Sequence, residues 1–185
     1  MSTVAAVCTG PTANLTGLST LDQEAGQWFV LHAKSRQEKA LAVAITAQDM
    51  ACFLPLSRQV RFYGRRKVTV ELPLFPGYVF LHGSIEQAYD INLTGRVARI
   101  IHVPDQRRFE SEIDNIRLAL AEDAPLDPHP YLKRGIRVEV RSGPMRGLRG
   151  MIADRTKNDR LILQVQMLGQ ASSLEIDGAL LDPIC

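Results

Sequence analysis

Five cations, Arg58, Arg61, Arg65, Arg66 and Lys67, stand between Ser57 and Val70 with no acidic residue among them. Just beyond lies Pro73-Leu74-Phe75-Pro76-Gly77-Tyr78-Val79-Phe80-Leu81. Guanidinium forks and an ammonium group gathered at a turn suit phosphate contact. Tyr78 and Phe80, two apart on a strand, share one face and suit the anchoring of a protein partner. Both patterns belong to recognition rather than bond making. His32, His82, His102 and His129 have no ligand spacing, and Cys8, Cys52 and Cys185 have no C-x-x-C pairing, which disfavours a zinc site and a disulfide framework. No Gly-rich phosphate loop, nucleophile elbow or metalloprotease signature is present. The expectation is a binding protein with no enzymatic activity, no metal and no cofactor.

The elements that must position these residues can be read from periodicity. Of the 185 residues 45% are hydrophobic, as in a folded domain, and no apolar run is long enough for a membrane span, so a cytoplasmic address is expected. The net charge is only +2, but stretches 58–67 and 133–160 are basic and 105–127 is acidic. Residues 1–26, rich in Thr, Ser, Ala and Gly, predict a flexible extension. Trp28 to His32 predicts a strand. Ser35 and Glu38 fit a capping box opening a helix to about Met50, with Leu41, Ala44, Ile45 and Ala47 inward. Strands are predicted at 53–63 and 68–72 around a 64–67 turn, then at 77–82 and 97–103. A short helix at 86–92 and another from Ser111 complete an α+β domain over 27–121, with helices on an antiparallel sheet. Three prolines in 122–134 predict an extended linker. Alternating runs at 137–141, 161–167 and 174–176, punctuated by Gly143, Gly147 and Gly150, predict a small five-stranded β-barrel over 135–185, with 169–173 as a turn.

In this order the two halves resemble the NusG family of transcription elongation factors, over residues 28–183. The resemblance rests on Trp28-Phe29-Val30, the Pro55 to Lys67 hairpin, Pro73 to Phe80, and a KOW motif through Gly135, Val138, Gly143-Pro144-Met145-Arg146-Gly147-Leu148-Arg149-Gly150 and Met151-Ile152. The N-terminal half is most similar to the specialised, RfaH-like branch of antiterminators that serve particular operons.

The resemblance implies an N-terminal domain that rides on the clamp helices of the RNA polymerase β′ subunit and increases processivity by binding alone, as a monomer. Its polymerase contacts would fall on Phe75, Pro76, Tyr78 and Phe80, with Phe53, Leu54 and Phe62 as neighbours. Alternating strand residues also build sheet cores, and part of this set has that second reading. Lys34, Arg36, Arg65, Arg66, Lys67, Tyr89, Arg96 and Arg99 would face nucleic acid, the non-template DNA strand included. Where the RfaH-like branch has His-Thr-Thr, this chain has Gln87-Ala88-Tyr89-Asp90, in which Tyr89 could stack on a base. Met145 and Leu148 would meet NusE on the ribosome, or Rho, or else plug the end of the barrel. A ribosome-associated or RNA-binding KOW protein is the alternative, and it has no need of the Phe75 to Phe80 face.

Overall fold

The computed structural model describes residues 26–64, 66–122, 124–129, 135–152 and 160–184. Of the extension expected at 1–26, residues 1–25 lie outside them, as do Arg65 and Cys185. The described residues divide into two compact units, one drawn from 26–54 and Pro76–Gln106, the other from Pro55–Phe75 and those from Arg107 onward.

The first unit is built on a four-stranded antiparallel sheet of order β2-β5-β1-β6, from β1 (Gln27–Ala33), β2 (Ala51–Phe53), β5 (Tyr78–Gly83) and β6 (Val97–His102). The run Trp28 to Leu31 is buried without interruption, as a central strand covered on both faces requires. Helices α1 (Glu38–Thr46) and α2 (Ile85–Asn92) pack on this sheet and place Leu41, Ala42, Ile45, Ala88 and Ile91 in the core.

The capping box expected at Ser35 is not formed. Helix α1 starts after Gln37 without a side-chain cap, and Glu38 is occupied elsewhere, accepting a hydrogen bond from the Gly77 N–H. The box sits on α2, where the Ser84 hydroxyl accepts from the Gln87 N–H and the Gln87 side chain accepts from the Ser84 N–H. Helix α1 ends at Thr46, short of Met50, and Ala47 is exposed while Ala42 takes the inward place. The strand expected over 53–63 is two strands, since Pro55 has no N–H to continue a ladder.

The second unit begins with a ribbon of β3 (Leu56–Tyr63) and β4 (Arg66–Pro73), a two-stranded sheet of its own, in register from Leu56↔Pro73 to Tyr63↔Arg66. Strand β3 ends at Tyr63 as expected, while β4 starts two residues nearer the turn than the expected 68, with Gly64 supplying a left-handed φ of 62° at the reversal. Helix α3 (Gln106–Ala121) starts five residues before the Ser111 expected as its opening. It is followed by β7 (Asp127–His129), β8 (Ile136–Val140), β9 (Arg149–Ile152), β10 (Arg160–Val165), β11 (Gln170–Glu175) and β12 (Leu181–Pro183).

These last strands form a six-stranded sheet of order β12-β8-β9-β10-β11-β7. The expected five-stranded barrel is not closed: the sheet is open, and β7, from the segment read as a linker, adds an edge to β11. The turn expected at 169–173 is a strand, and the reversal lies in a 3-10 turn at Gln166–Leu168 ending on Gly169 at φ 61°. Gly150 lies where a Cβ would meet the Ile162 carbonyl oxygen at 2.8 Å, so the β9–β10 approach needs a glycine. Among the described residues from 135 onward there is no α-helix.

Candidate recognition surface

Tyr78 is the sequence-predicted contact residue that the first unit leaves at its surface beside a basic rim. Its strand is entered through Gly77, whose φ of 86° is a left-handed value that other residues adopt only with strain. The turn is held from two sides. The Gly77 N–H donates to Glu38 Oε1 at 2.9 Å, and the Gly77 carbonyl accepts from the Ala33 N–H at 2.8 Å. Tyr78 is half-buried and stacks on the exposed ring of His32, with centroids 5.2 Å apart and planes 27° from parallel.

Register extends that pair into a row. Tyr78 lies opposite His32, and His32 opposite Arg99, so the three share one face across β5, β1 and β6. The next row on that face, Phe53, Phe80, Val30 and Ile101, is largely interior: Phe53 and Phe80 stack with centroids 6.2 Å apart, and Phe80 is 0% exposed. Tyr78 is thus the outer end of an aromatic face whose inner rings serve as core. Leu54 and Phe75 are buried as well, while Pro76 is exposed. Of the residues expected to touch a protein partner, Pro76 and Tyr78 stand at the surface of this unit, Phe53, Leu54 and Phe80 are buried in it, and Phe75, of the second unit, is buried as well.

The basic residues of this unit gather near the same end of the sheet. The Lys34 N–H donates to the Arg96 carbonyl at 2.8 Å, and Lys34, Arg36 and Arg99 are exposed. Arg36 sits at φ 59°, and the half-buried Arg96 is fixed by a 2.6 Å hydrogen bond from Nη1 to Gln37 Oε1. Tyr89, 56% exposed, lies on α2. Sequence reasoning missed His32 as part of the surface. The signal was the strand pairing, which composition does not reveal.

In the second unit the ribbon tip carries Phe62, 71% exposed, with Arg66 and Lys67 also exposed; Arg65 lies outside the described residues. Phe62 lies at the basic end of the ribbon, opposite Lys67. Among the described residues of the basic stretch 133–160, three arginines are paired with carboxylates. Arg149 pairs with Glu139 at 2.7 Å and Arg160 with Glu175 at 3.3 Å, each across a strand pair, and Arg141 with Asp182 at 3.8 Å. Leu148 is 0% exposed, filling the interior of the C-terminal sheet, whereas Met145 is half-buried in the loop before it. Helix α3 meets this sheet through polar contacts: Asn115 Oδ1 accepts from the Arg149 N–H at 2.9 Å and Glu112 Oε2 from the Gln166 N–H at 3.1 Å.

Cys52 is disulfide-bonded, contrary to the expectation of separate thiols. Wide spacing in sequence does not prevent two cysteines from meeting in a fold. Among the described residues no group of three or more His, Cys, Asp or Glu side chains could hold a metal ion, and no helix is long and apolar enough to cross a membrane.

Comparison with known proteins places a family match on the first half of the chain. Residues 26–117 match the family described as "Transcription termination factor nusG". Among solved structures, a crystal structure of an MjSpt4:Spt5 complex (conformation B) is similar at 17% identity and a TM-score of 0.27, covering 85% of this chain and 96% of that one, a likeness too slight to build on. No curated protein sequence matches.

Proposed function

We propose that this protein, whose N-terminal half carries the NusG-family domain, is a transcription elongation factor that docks on RNA polymerase through Tyr78 and acts by binding alone. The observation that carries the reading is the placement of Tyr78. It is a half-exposed aromatic at the end of an aromatic strand face, oriented by the His32 stack and the Glu38–Gly77 tie, inside the segment that matches the family. A ring already held in place loses little freedom on docking, which is what makes an aromatic an efficient anchor. The partner is the pair of β′ clamp helices, and Lys34, Arg36, Arg96 and Arg99 are the residues this reading assigns to contact with a DNA strand.

The factor acts in the cytoplasm as a monomer and raises processivity as a specialised antiterminator. Its C-terminal sheet is the KOW module, which meets NusE or Rho through the loop around Met145. The alternative, an RNA-binding KOW protein, has no need of the half-exposed aromatic at Tyr78 on which this reading rests. The test is a transcription assay with purified polymerase on a template carrying pause and Rho-dependent termination sites. Added protein is expected to lengthen the transcripts, and Tyr78→Ala to abolish the effect. Unchanged transcripts at saturating protein would refute the antiterminator role.

A further inference from the structure

We infer that the cleft between helix α3 and one face of the C-terminal sheet is a binding site for a free mononucleotide, its phosphate held by Arg137 and its base lying on Met151 and Ile162. The inference goes beyond the function proposed above and does not depend on it. The cleft has a volume of about 460 Å³, within the size range of sites for small organic ligands. Both of its walls belong to the same compact unit.

The two walls follow from two periodicities. On α3, Arg108, Ser111, Glu112 and Asn115 fall three or four apart and make one polar stripe, while Phe109, Ile113 and Ile116 are buried on another. On the sheet, register places Arg137 opposite Met151 and Met151 opposite Ile162, so the three share one face in a single row across β8, β9 and β10. That row grades from an exposed cation through a half-buried thioether to a buried Ile162. The walls are joined by the hydrogen bonds from the Arg149 N–H to Asn115 Oδ1 and from the Gln166 N–H to Glu112 Oε2.

Charge decides which kind of ligand the cleft suits. Three arginines line it, Arg108, Arg137 and Arg149, against one carboxylate, Glu112. Glu112 is engaged on both oxygens, by Arg108 Nε at 3.1 Å and by the Gln166 N–H, and Arg149 pairs with Glu139 at 2.7 Å. Among the described residues Arg137 has no carboxylate partner, so the unbalanced positive charge sits at its end of the row. A neighbouring cleft of about 390 Å³ along α3 sets Arg107 and Arg149 against Glu110 and Asp114, a balance that gives an anion no hold.

A guanidinium fork matches the oxygens of a phosphate. The Met151 thioether and the Ile162 side chain offer a soft apolar floor for a flat ring. Opposite that floor stand the Ser111 hydroxyl and the Asn115 amide, which keeps its NH2 group as a donor because its oxygen is committed to Arg149. Anionic head, flat ring and polar ring edge within one small volume describe a nucleotide. A purely apolar acid would leave the polar wall unmatched, and inorganic phosphate would leave the apolar row empty.

The experiment is isothermal titration of the full-length chain with AMP, GMP, CMP and UMP, with adenosine and inorganic phosphate as the separate halves of the ligand. At least one mononucleotide is expected to bind, and more tightly than either half. Arg137→Ala should weaken it roughly tenfold or more, the loss expected when a charge-assisted contact is removed. Because Arg137 is exposed, that variant should unfold at the same temperature as the natural protein. Arg137→Lys, which keeps the charge but not the fork, should fall between the two. Arg107→Ala in the balanced cleft and Arg99→Ala on the first unit should bind as the natural protein does, which separates a specific contact from a general loss of positive charge. NMR amide shifts on adding the nucleotide should centre on Met151 and Ile162. No binding by any of the four nucleotides, inorganic phosphate bound as tightly as they are, undiminished affinity in Arg137→Ala, or shifts confined to other residues would each overturn the proposal. The titration contains no polymerase, so its failure is distinguishable from failure of the docking role of Tyr78.

Discussion

Glu38 and Gly77, 39 residues apart in the chain, are joined by a 2.9 Å hydrogen bond from the Gly77 N–H to the Glu38 carboxylate. The first residue of α1 therefore holds the turn that delivers Tyr78. The side chain expected to cap its own helix satisfies instead a backbone donor in this turn. Glu38→Ala is expected to lower stability by about 1–2 kcal/mol, since it leaves the part-buried N–H unpaired. Glu38→Gln, which keeps an acceptor oxygen, should cost less. Urea unfolding of both variants checks this; equal midpoints for Glu38→Ala and the natural protein would show that the bond contributes nothing.

Gly77 is constrained by conformation as well as by this bond. At φ 86° a Cβ would lie 3.3 Å from the His32 ring, so Gly77→Ala is expected to combine backbone strain of about 1–2 kcal/mol with displacement of the ring that supports Tyr78. The check is thermal unfolding together with polymerase binding. The variant should lose affinity even where it remains folded.

Ser84→Ala removes the cap of α2 and is expected to cost about 1 kcal/mol. The same hydroxyl, followed by the residue's own backbone N–H, holds the Glu86 carboxyl below its ordinary value. A carboxyl depressed in the folded state stabilises above its unfolded pKa, and that contribution is lost as pH falls through its folded pKa. Without Ser84 the Glu86 titration, followed by NMR, should move back up toward the ordinary value. An unmoved titration would place the cause elsewhere.

Leu148 and Met145, expected alike as partner contacts, separate by burial. Leu148→Ala should destabilise the C-terminal sheet by about 2–5 kcal/mol, because it opens a cavity among buried residues. Met145→Ala should leave stability nearly unchanged, so a loss of NusE or Rho binding in that variant would report contact directly. Similar unfolding midpoints for the two variants would contradict this division.

Much of the fold was legible because it follows from local pattern. The Trp28 to His32 run, the strand expected at 97–103 and the alternating runs at 137–141 and 161–167 formed strands within a residue or two of where apolar periodicity placed them, α2 lies within a residue of its expected span, and the run at 174–176 is the end of a longer strand that begins in the expected turn. What was misread depended on partners far away in sequence. Glu38 fitted a capping box but was needed at Gly77. Gln106 opens α3 early because its amide bonds the Trp28 backbone on both sides, accepting from N–H at 2.7 Å and donating to C=O at 3.0 Å. The aromatic residues of 75–80 were visible, yet only pairing across β1, β2 and β5 decided which ring faces outward. The same holds for Phe62, whose neighbour Lys67 is given by the ribbon register.

The most direct measurement is equilibrium binding of the full-length chain to purified core RNA polymerase, comparing the natural sequence with Tyr78→Ala and Tyr78→Phe. The account predicts saturable binding that Tyr78→Ala weakens by about 1–3 kcal/mol, roughly 5- to 150-fold, with Tyr78→Phe close to the natural protein if the ring is the anchor. No binding by the natural sequence, or equal affinity for Tyr78→Ala while it remains folded, would contradict the claim that this residue docks the protein on polymerase.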